Sequence, residues 1–233
     1  MEPTAAPSSP DAAGGRARQA AGRIRWAFLA VIAVGIAVLA ALSFYRASHI
    51  EEPLPVLFEV PSFSLTDQTG RAVTRESLLG KVFVANFIFT SCPTVCPLLS
   101  RKMADLSDEV ATWREYSDQV RFVSLTVDPQ TDTVERLAAY AGRYHADAGR
   151  WMFLTGPAAE VESAVVQGFK IAMGRADPPA AAGKDAPDAF SIVHGEMFVL
   201  VDRRGRIRGY YKQDDEGTPA LRRDLMRVLD EDP

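Results

Sequence analysis

The segment Val82–Phe89 (VFVANFIF) limits the possible folds of this chain more than any other feature. It is apolar at nearly every position, and such a run is typical of a strand that is covered on both faces. A second segment, Arg121–Val127, is predicted to be the next strand. Apolar residues between the two segments recur at spacings of three and four, which predicts a helix; they are Leu99, Met103, Leu106, Val110 and Trp113.

Strand and helix signals continue to alternate after the second strand. Asp132 and Glu135 resemble a capping box at the start of a helix, and Trp151–Leu154 is predicted to be a short strand. Met197–Val201 and Arg206–Tyr211 flank a short connection that contains glycine, which predicts a hairpin. Further helices are predicted at Ala158–Phe169 and from Thr218 onward, the latter with Leu221, Leu225 and Val228 facing the core. This order predicts an α/β fold with a mainly parallel central sheet, an antiparallel hairpin and flanking helices.

The N-terminal region contains one long apolar run, Trp26–Tyr45, which holds twenty residues without a charge and is bracketed by Arg25 and Arg46. About 20 apolar residues are needed for a helix to cross a bilayer core. A cleavable signal peptide is the alternative, but its apolar stretch is typically about 7–15 residues and ends in small residues. We therefore predict one retained transmembrane helix.

Charge predicts the orientation of this helix, and composition predicts the domain boundaries. Four arginines precede the apolar run, and such residues tend to stay in the cytoplasm. The C-terminal domain would then lie in the periplasm, anchored to the inner membrane. We predict a disordered tail at 1–22, the anchor at 23–46, a linker at 47–57 and the folded domain at 58–233.

From Arg46 onward the chain has 22 basic and 28 acidic residues, a net charge of −6, which disfavours nucleic-acid binding.

The chain has only two cysteines, Cys92 and Cys96, in the motif CPTVCP between the first strand and its helix. Pro97 suits the first position of a helix, which puts Cys96 near the N-cap. A helix N-terminus favours negative charge, so we expect a lowered thiol pKa there. A simple disulfide is the alternative interpretation of such a close pair.

Two thiolates on one loop form a soft site, of the kind that selects copper(I), zinc or iron–sulfur clusters. Clusters and structural zinc usually require four protein ligands, so low-coordinate copper is the better match for this chain. The third ligand could be one of three histidines. His49 lies in the linker, and His145 follows a predicted helix as a surface residue. His194 comes just before the hairpin, beside the cysteine loop in a thioredoxin-like sheet, and is the favoured candidate.

Two further features accompany the cysteines. The stretch Gly174–Ala189 lacks apolar periodicity and is predicted to be a mobile loop next to His194. Asp128 ends the second strand, at the sheet edge that also carries Cys92 and where ligand sites gather. It is either a turn residue before Pro129 or a group that orients the metal site.

Three segments of this chain, FTSCPTVCP, TVDPQTDT and VHGEMFVLVDRRGRI, resemble the SCO/SenC family of copper proteins that assemble cytochrome c oxidase. The resemblance covers roughly residues 58–230 and the single N-terminal anchor. It implies a thioredoxin-like fold and copper(I) or copper(II) bound by Cys92, Cys96 and His194. It also implies delivery of copper to the dinuclear copper centre of an oxidase subunit. Another periplasmic copper chaperone is a further candidate partner.

Two functional hypotheses follow from this resemblance. The first is a copper metallochaperone without catalytic residues. The second is a thiol–disulfide oxidoreductase, in which Cys92 and Cys96 form a redox disulfide and reduce the oxidase subunit's cysteines before metal loading. Three residues separate the thiols, whereas thioredoxin-like reductases usually have two, so we favour the first hypothesis. A peroxidase ranks last, because the histidine ligand would have no role in it.

Overall fold

The computed structural model describes residues 29, 31–44, 53–175, 192–193 and 196–231. The chain divides into two compact units, residues 1–52 and 53–233. In the first unit, residues 31–44 form helix α1, whose apolar side chains are exposed. None of the helices among the described residues is both long and apolar enough to cross a membrane. The predicted tail, and both ends of the predicted anchor, lie outside the described residues.

The second unit is built on a six-stranded sheet with the strand order β1-β10-β9-β4-β5-β6. Two smaller sheets pair β2 with β3 and β7 with β8. The strands are β1 Phe58–Glu59, β2 Ser64–Thr66, β3 Ala72–Thr74, β4 Val82–Ile88, β5 Val120–Thr126, β6 Trp151–Leu154, β7 Gly174–Arg175, β8 Ile192–Val193, β9 Met197–Val201 and β10 Arg206–Lys212. The predicted strands and hairpin are therefore confirmed.

The central sheet is mixed rather than mainly parallel. Strands β4, β5 and β6 run parallel to one another, whereas β9, β10 and β1 each pair antiparallel with their neighbour. The sheet has two parallel pairs and three antiparallel pairs, because the hairpin joins β4 in the antiparallel sense and β1 adds to the free edge of the hairpin through the Phe58–Ile207 pair. Gly205 in the hairpin turn has a φ of +76°, in the left-handed region that favours glycine.

Helices cover the sheet and connect its parallel strands. They are α2 Arg75–Leu78, α3 Val95–Ala111, α4 Val134–Arg143, α5 Ala158–Glu162 and α6 Gly217–Asp230. The single helix predicted at Ala158–Phe169 instead changes to a π-helical turn at Ser163–Gly168. The wider turn ends at Phe169, whose buried ring meets Phe87 of β4 with the centroids 5.4 Å apart.

The core lies on both faces of the sheet. All seven residues of β4 are buried, as its continuous apolar run predicts. The predicted core stripe of α3 is buried through Val110, whereas Trp113 lies beyond the helix end and is half-buried. Leu221, Leu225 and Val228 of α6 are buried as predicted. Because β4, β5 and β6 are parallel, their carboxyl ends form one edge of the sheet, here called the cysteine edge.

Candidate metal centre

The two cysteines lie where the chain passes from β4 into α3, as the sequence predicts. Cys92 is in the connecting loop and is 8% exposed, whereas Cys96 is in the first turn of α3 and is fully buried. Neither cysteine forms a disulfide. The backbone N–H of Cys96 donates a hydrogen bond to Cys92 Sγ at 3.4 Å, so the first sulfur lies against the start of the helix that carries the second.

The helix begins two residues earlier than predicted. Thr94 is the N-cap residue, so Cys96 is the second residue of α3 and Pro97 the third. Proline is tolerated there because the first N–H groups of a helix have no intrahelical partner. The Thr94 side chain makes no capping bond. Cys92 Sγ accepts from the first turn instead, so a sulfur atom serves as the cap of this helix.

The environment of Cys96 is apolar enough to outweigh the helix terminus. Burial raises the pKa of the Cys96 thiol well above its ordinary value, although a backbone hydrogen bond from Phe89 acts in the opposite direction. Cys92 and Asp132 add to the rise. The lowered pKa expected for Cys96 is therefore wrong, because desolvation of a thiolate is larger than the stabilisation by the helix N-terminus.

Asp132 is a buried carboxyl group at the cysteine edge. The sequence predicted it to be part of a capping box at the start of α4. The N-cap of α4 is Thr133, which accepts from the backbone N–H of Arg136 at 3.3 Å. Asp132 therefore has no capping role, and its side chain accepts hydrogen bonds from Thr90 and Thr126. In the sequence, the cluster of Asp132, Thr90 and Thr126 is indicated only by the two threonines, which both lie at the end of a predicted parallel strand.

Asp128 forms the turn that follows β5. Its backbone N–H donates to Thr126 Oγ1 at 3.0 Å, and its carbonyl accepts from the backbone N–H groups of Thr131 and Asp132 at 3.1 and 2.9 Å. These bonds are those of a turn residue. Its half-buried carboxylate is also close enough to contribute to the raised pKa of Asp132, behind burial as the main cause. An orienting role toward a metal stays a prediction.

The histidine candidates differ in what the structure describes. His145 is exposed after α4, as predicted, and borders a surface cavity of about 150 Å³ that Trp151 and Asp108 also line. His49 and His194, and most of the loop predicted at Gly174–Ala189, lie outside the described residues. The pairing of Gly174 with Val193 closes the base of this loop, and His194 is the next residue after Val193.

The described residues supply two soft donors and no complete ligand set. Among them, no group of three or more histidine, cysteine or acidic residues could hold a metal ion. Two neighbouring sulfur atoms at a strand-to-helix junction nevertheless fit a soft metal such as copper(I). The assignment of Cys92, Cys96 and His194 as a ligand set, and of Cys92–Cys96 as a redox disulfide, stays a prediction.

Comparison with known proteins identifies relatives that share this region. The SCO1/SenC family matches residues 55–230. The chain is 32% identical over 166 residues to the SCO1 protein homolog of Bacillus subtilis (strain 168), and the match covers 71% of this chain and 79% of that protein. The resemblance carried by the cysteine motif and the hairpin segment is therefore confirmed.

Solved structures agree with the sequence comparison. Bradyrhizobium japonicum ScoI with copper bound has a TM-score of 0.59 and 26% identity to this chain, covering 73% of this chain and 99% of that one. BsSco, in which a disulfide switch was identified, is a member of the Sco family of cytochrome c oxidase assembly proteins. Its TM-score is 0.63 at 28% identity, covering 78% of this chain and all of the other. The thioredoxin-like fold is thus confirmed, and the chain belongs to the SCO1/SenC family.

Proposed function

We propose that this protein binds copper and delivers it to the dinuclear copper centre of a cytochrome c oxidase subunit during assembly. The observation that carries the proposal is the pair of cysteines, not joined in a disulfide, that are in contact at the start of α3. Two relatives add support. ScoI of Bradyrhizobium japonicum holds copper on the same fold, and BsSco belongs to a family of oxidase assembly proteins.

The copper ligands in this proposal are Cys92, Cys96 and His194. Bound copper would compensate the negative charge of the buried thiolate. Because burial raises the pKa of Cys96, loss of the thiol proton is coupled to binding of the metal in this proposal. His194 follows strand β8, whose pairing with β7 holds the end of the chain segment that carries it. An imidazole is a suitable third donor for copper in either oxidation state.

The two sulfurs differ in their access to a partner protein. Cys92 is buried but keeps 8% of its surface accessible between the exposed residues Ser91 and Pro93, whereas Cys96 has no accessible surface. An incoming ligand of the oxidase subunit therefore reaches Cys92 first. Transfer begins with exchange at Cys92 and ends with release of Cys96, which regains its proton.

Metal analysis of the full-length protein in detergent tests the ligand assignment. We expect copper to remain with the wild type after desalting and to be lost from Cys92→Ser, Cys96→Ser and His194→Ala. His145→Ala is the matched control, because this exposed histidine is not a ligand in the proposal. Equal copper retention by wild type and His194→Ala would remove His194 from the ligand set.

The second candidate function is reduction of the oxidase subunit's cysteines by the Cys92–Cys96 pair. The observation that favours it is that the two cysteines are in contact and not joined in a disulfide, so they could close to a disulfide while a partner disulfide opens. The copper(II) spectrum separates the two functions. Intense thiolate-to-copper charge-transfer bands support metal delivery, whereas redox turnover without any metal binding supports the reductase.

We also propose that residues 23–46 anchor the protein in the inner membrane, with the C-terminal domain in the periplasm. The apolar side chains of α1 are exposed along its whole described length. A helix that is hydrophobic on all sides is characteristic of a membrane span. Alkaline extraction of membranes and an alkaline phosphatase fusion at the C-terminus test the proposal. Release by alkali, or an inactive fusion, would contradict it.

A further inference from the structure

Asp132 is the most deeply placed acidic group at the cysteine edge, with no exposed surface at all. Its carboxylate accepts the Thr90 hydroxyl at 2.5 Å, the Thr126 hydroxyl at 2.6 Å and the Thr90 backbone N–H at 3.1 Å. These three donors are neutral, and they come from the ends of two neighbouring parallel strands. One side chain therefore joins the segment after β4 to the end of β5.

The main chain of Asp132 extends the connection to the third parallel strand. Its carbonyl accepts the hydroxyl of Thr155, the first residue after β6, at 2.8 Å. Its N–H donates to the Asp128 carbonyl at 2.9 Å, within the turn after β5. A single residue thus ties together the carboxyl ends of β4, β5 and β6.

Thr90 links Asp132 to the loop that carries the cysteines. Both its N–H and its hydroxyl are bonded to the same carboxylate, so the backbone at Thr90 is held in one orientation. Cys92 comes two residues later, and its N–H donates to the Phe89 carbonyl at 3.1 Å. Cys92 Sγ in turn contacts the first turn of α3, where Cys96 lies. A shift of Thr90 would therefore move one sulfur relative to the other.

We propose that Asp132 is a positioning residue that fixes the cysteine loop on the strand ends and so sets the relative placement of the Cys92 and Cys96 sulfurs. The proposal rests on the proposed function only for the part that concerns copper. The placement of the sulfurs also governs how readily they form a disulfide, and this property can be measured without metal.

The carboxylate is suited to this task because it offers two acceptor oxygens. Oδ1 accepts the Thr90 hydroxyl, and Oδ2 accepts both the Thr126 hydroxyl and the Thr90 N–H. Asparagine has almost the same shape but only one acceptor oxygen, and its amide turns two donors toward a hydroxyl that was itself donating. Asp132→Asn therefore disturbs the connection without removing atoms from the core.

Asp67 provides a matched control at a different place in the fold. It is 1% exposed and likewise accepts a threonine hydroxyl, from Thr69 at 2.6 Å, together with two backbone N–H groups. Its ion-pair partner Arg71 donates to the carbonyl of Ala148, which precedes β6. Asp67 therefore serves the opposite edge of the sheet, and Asp67→Asn reports the general effect of converting a buried carboxylate to an amide.

The test measures the disulfide equilibrium of Cys92 and Cys96 against glutathione in the full-length, metal-free protein, and separately its copper(I) affinity by competition with a chromophoric chelator. We expect Asp132→Asn to change both equilibrium constants by about tenfold or more, the range typical for residues that orient metal ligands. Asp67→Asn should change neither, although both variants lose stability to urea. An Asp132→Asn protein that differs from Asp67→Asn only in stability, or not at all, would overturn the proposal.

Thr90→Val keeps the test decisive if Asp132→Asn fails to fold. Valine preserves the shape of threonine but lacks the hydroxyl that Asp132 accepts at 2.5 Å. We expect the disulfide equilibrium to shift in the same direction as in Asp132→Asn, and the double variant to shift less than the sum of the two. An unchanged equilibrium in Thr90→Val would contradict the proposal. Absence of copper binding in the wild type, with the disulfide shifts still present, would refute the copper function alone.

Discussion

Two buried carboxyl groups at different places in the sheet, Asp132 and Asp202, have opposite surroundings. Asp202, in the β9–β10 turn, lies 2.7 Å from the Arg206 guanidinium and 3.2 Å from that of Arg208. Burial alone would raise the pKa of Asp202, but the hydrogen bonds from Arg206 and the other donors lower it below its ordinary value. Among the described residues, the side chain of Asp132 accepts hydrogen bonds from the neutral groups of Thr90 and Thr126, and burial raises its pKa.

The difference separates a region built for stability from a region built for chemistry. At the hairpin, each buried charge has a partner of opposite sign, which is how proteins normally keep charges inside. At the cysteine edge, the buried carboxyl group of Asp132 is close enough to the buried Cys96 thiol to help raise its pKa, and the described hydrogen bonds of that carboxyl group come from neutral donors. Such groups reduce stability unless something else compensates them, and they are characteristic of functional sites.

Arg208 stabilises the hairpin region through several hydrogen bonds. It is 3% exposed and donates to Asp202, to both carboxylate oxygens of Glu231 and to the carbonyls of Leu54 and Pro55. These contacts join the hairpin to the end of α6 and to the segment before β1. One guanidinium group therefore holds the segment before β1, the hairpin and the end of α6 together.

The largest expected change in stability follows from removing the Arg208 guanidinium group. Arg208→Met should reduce the free energy of unfolding by about 3–5 kcal/mol, because it leaves the buried Asp202 without its fully buried cation. Urea unfolding of the full-length protein in detergent measures the change. Arg204→Met, at an exposed position of the same turn, is the control and should have little effect. A loss below about 1 kcal/mol for Arg208→Met, the size of a surface pair, would contradict the comparison.

The pH dependence of stability should differ in sign between the two acids. The lowered pKa of Asp202 contributes stability that is present above its unfolded value of 3.8 and is lost as the pH falls through the folded pKa. The raised pKa of Asp132 acts in the opposite direction. Its folded form keeps a proton that the unfolded chain has lost, so this contribution to stability decreases as the pH rises through 3.8 toward the folded pKa.

Urea unfolding of Asp202→Asn and Asp132→Asn between pH 3 and pH 7 tests this expectation. The deficit of Asp202→Asn relative to wild type should shrink as the solution becomes acidic, whereas that of Asp132→Asn should grow. Parallel curves for the two variants would show that the surrounding arginines and threonines do not set the two pKa values.

A smaller effect is expected from Tyr140→Phe near the cysteine edge. The Tyr140 hydroxyl is buried and lies 3.0 Å from the hydroxyl of Ser100, one helical turn after Cys96. Its removal should reduce the free energy of unfolding by about 1 kcal/mol, the usual net value of one hydrogen bond. Thermal or urea unfolding measures it. A gain in stability would mean that the buried pair of Tyr140 and Ser100 hydroxyls destabilises the core rather than stabilising it.

The smallest expected effect is that of His145→Ala, which should leave copper affinity and stability unchanged. His145 is exposed and has a positive φ of 53°. Competition with a copper(I) chelator measures the affinity. A clear fall in affinity would mean that the surface cavity beside Trp151, rather than the cysteine edge alone, takes part in binding.

The elements that the sequence predicted well are those whose apolar pattern is long and regular. Val82–Ile88 and the stripe of α3 are buried as expected, because a continuous or periodic apolar run has few ways to avoid water. Strand β1 was missed, since two exposed residues carry no such pattern and pair only because β10 offers a free edge. The start of α3 was misplaced by two residues because a proline is accepted at any position of the first turn.

The amino-acid sequence by itself determined the alternation of strands and helices, the position of the cysteine pair at a strand-to-helix junction and the resemblance to one family. These properties depend on neighbours along the chain. Only the tertiary structure decided that Cys96 is too buried to have a lowered pKa and that Asp132 binds Thr90 rather than capping α4. Both outcomes depend on groups that the sheet brings together from distant segments, and burial and hydrogen-bond partners of that kind leave no local pattern in a sequence.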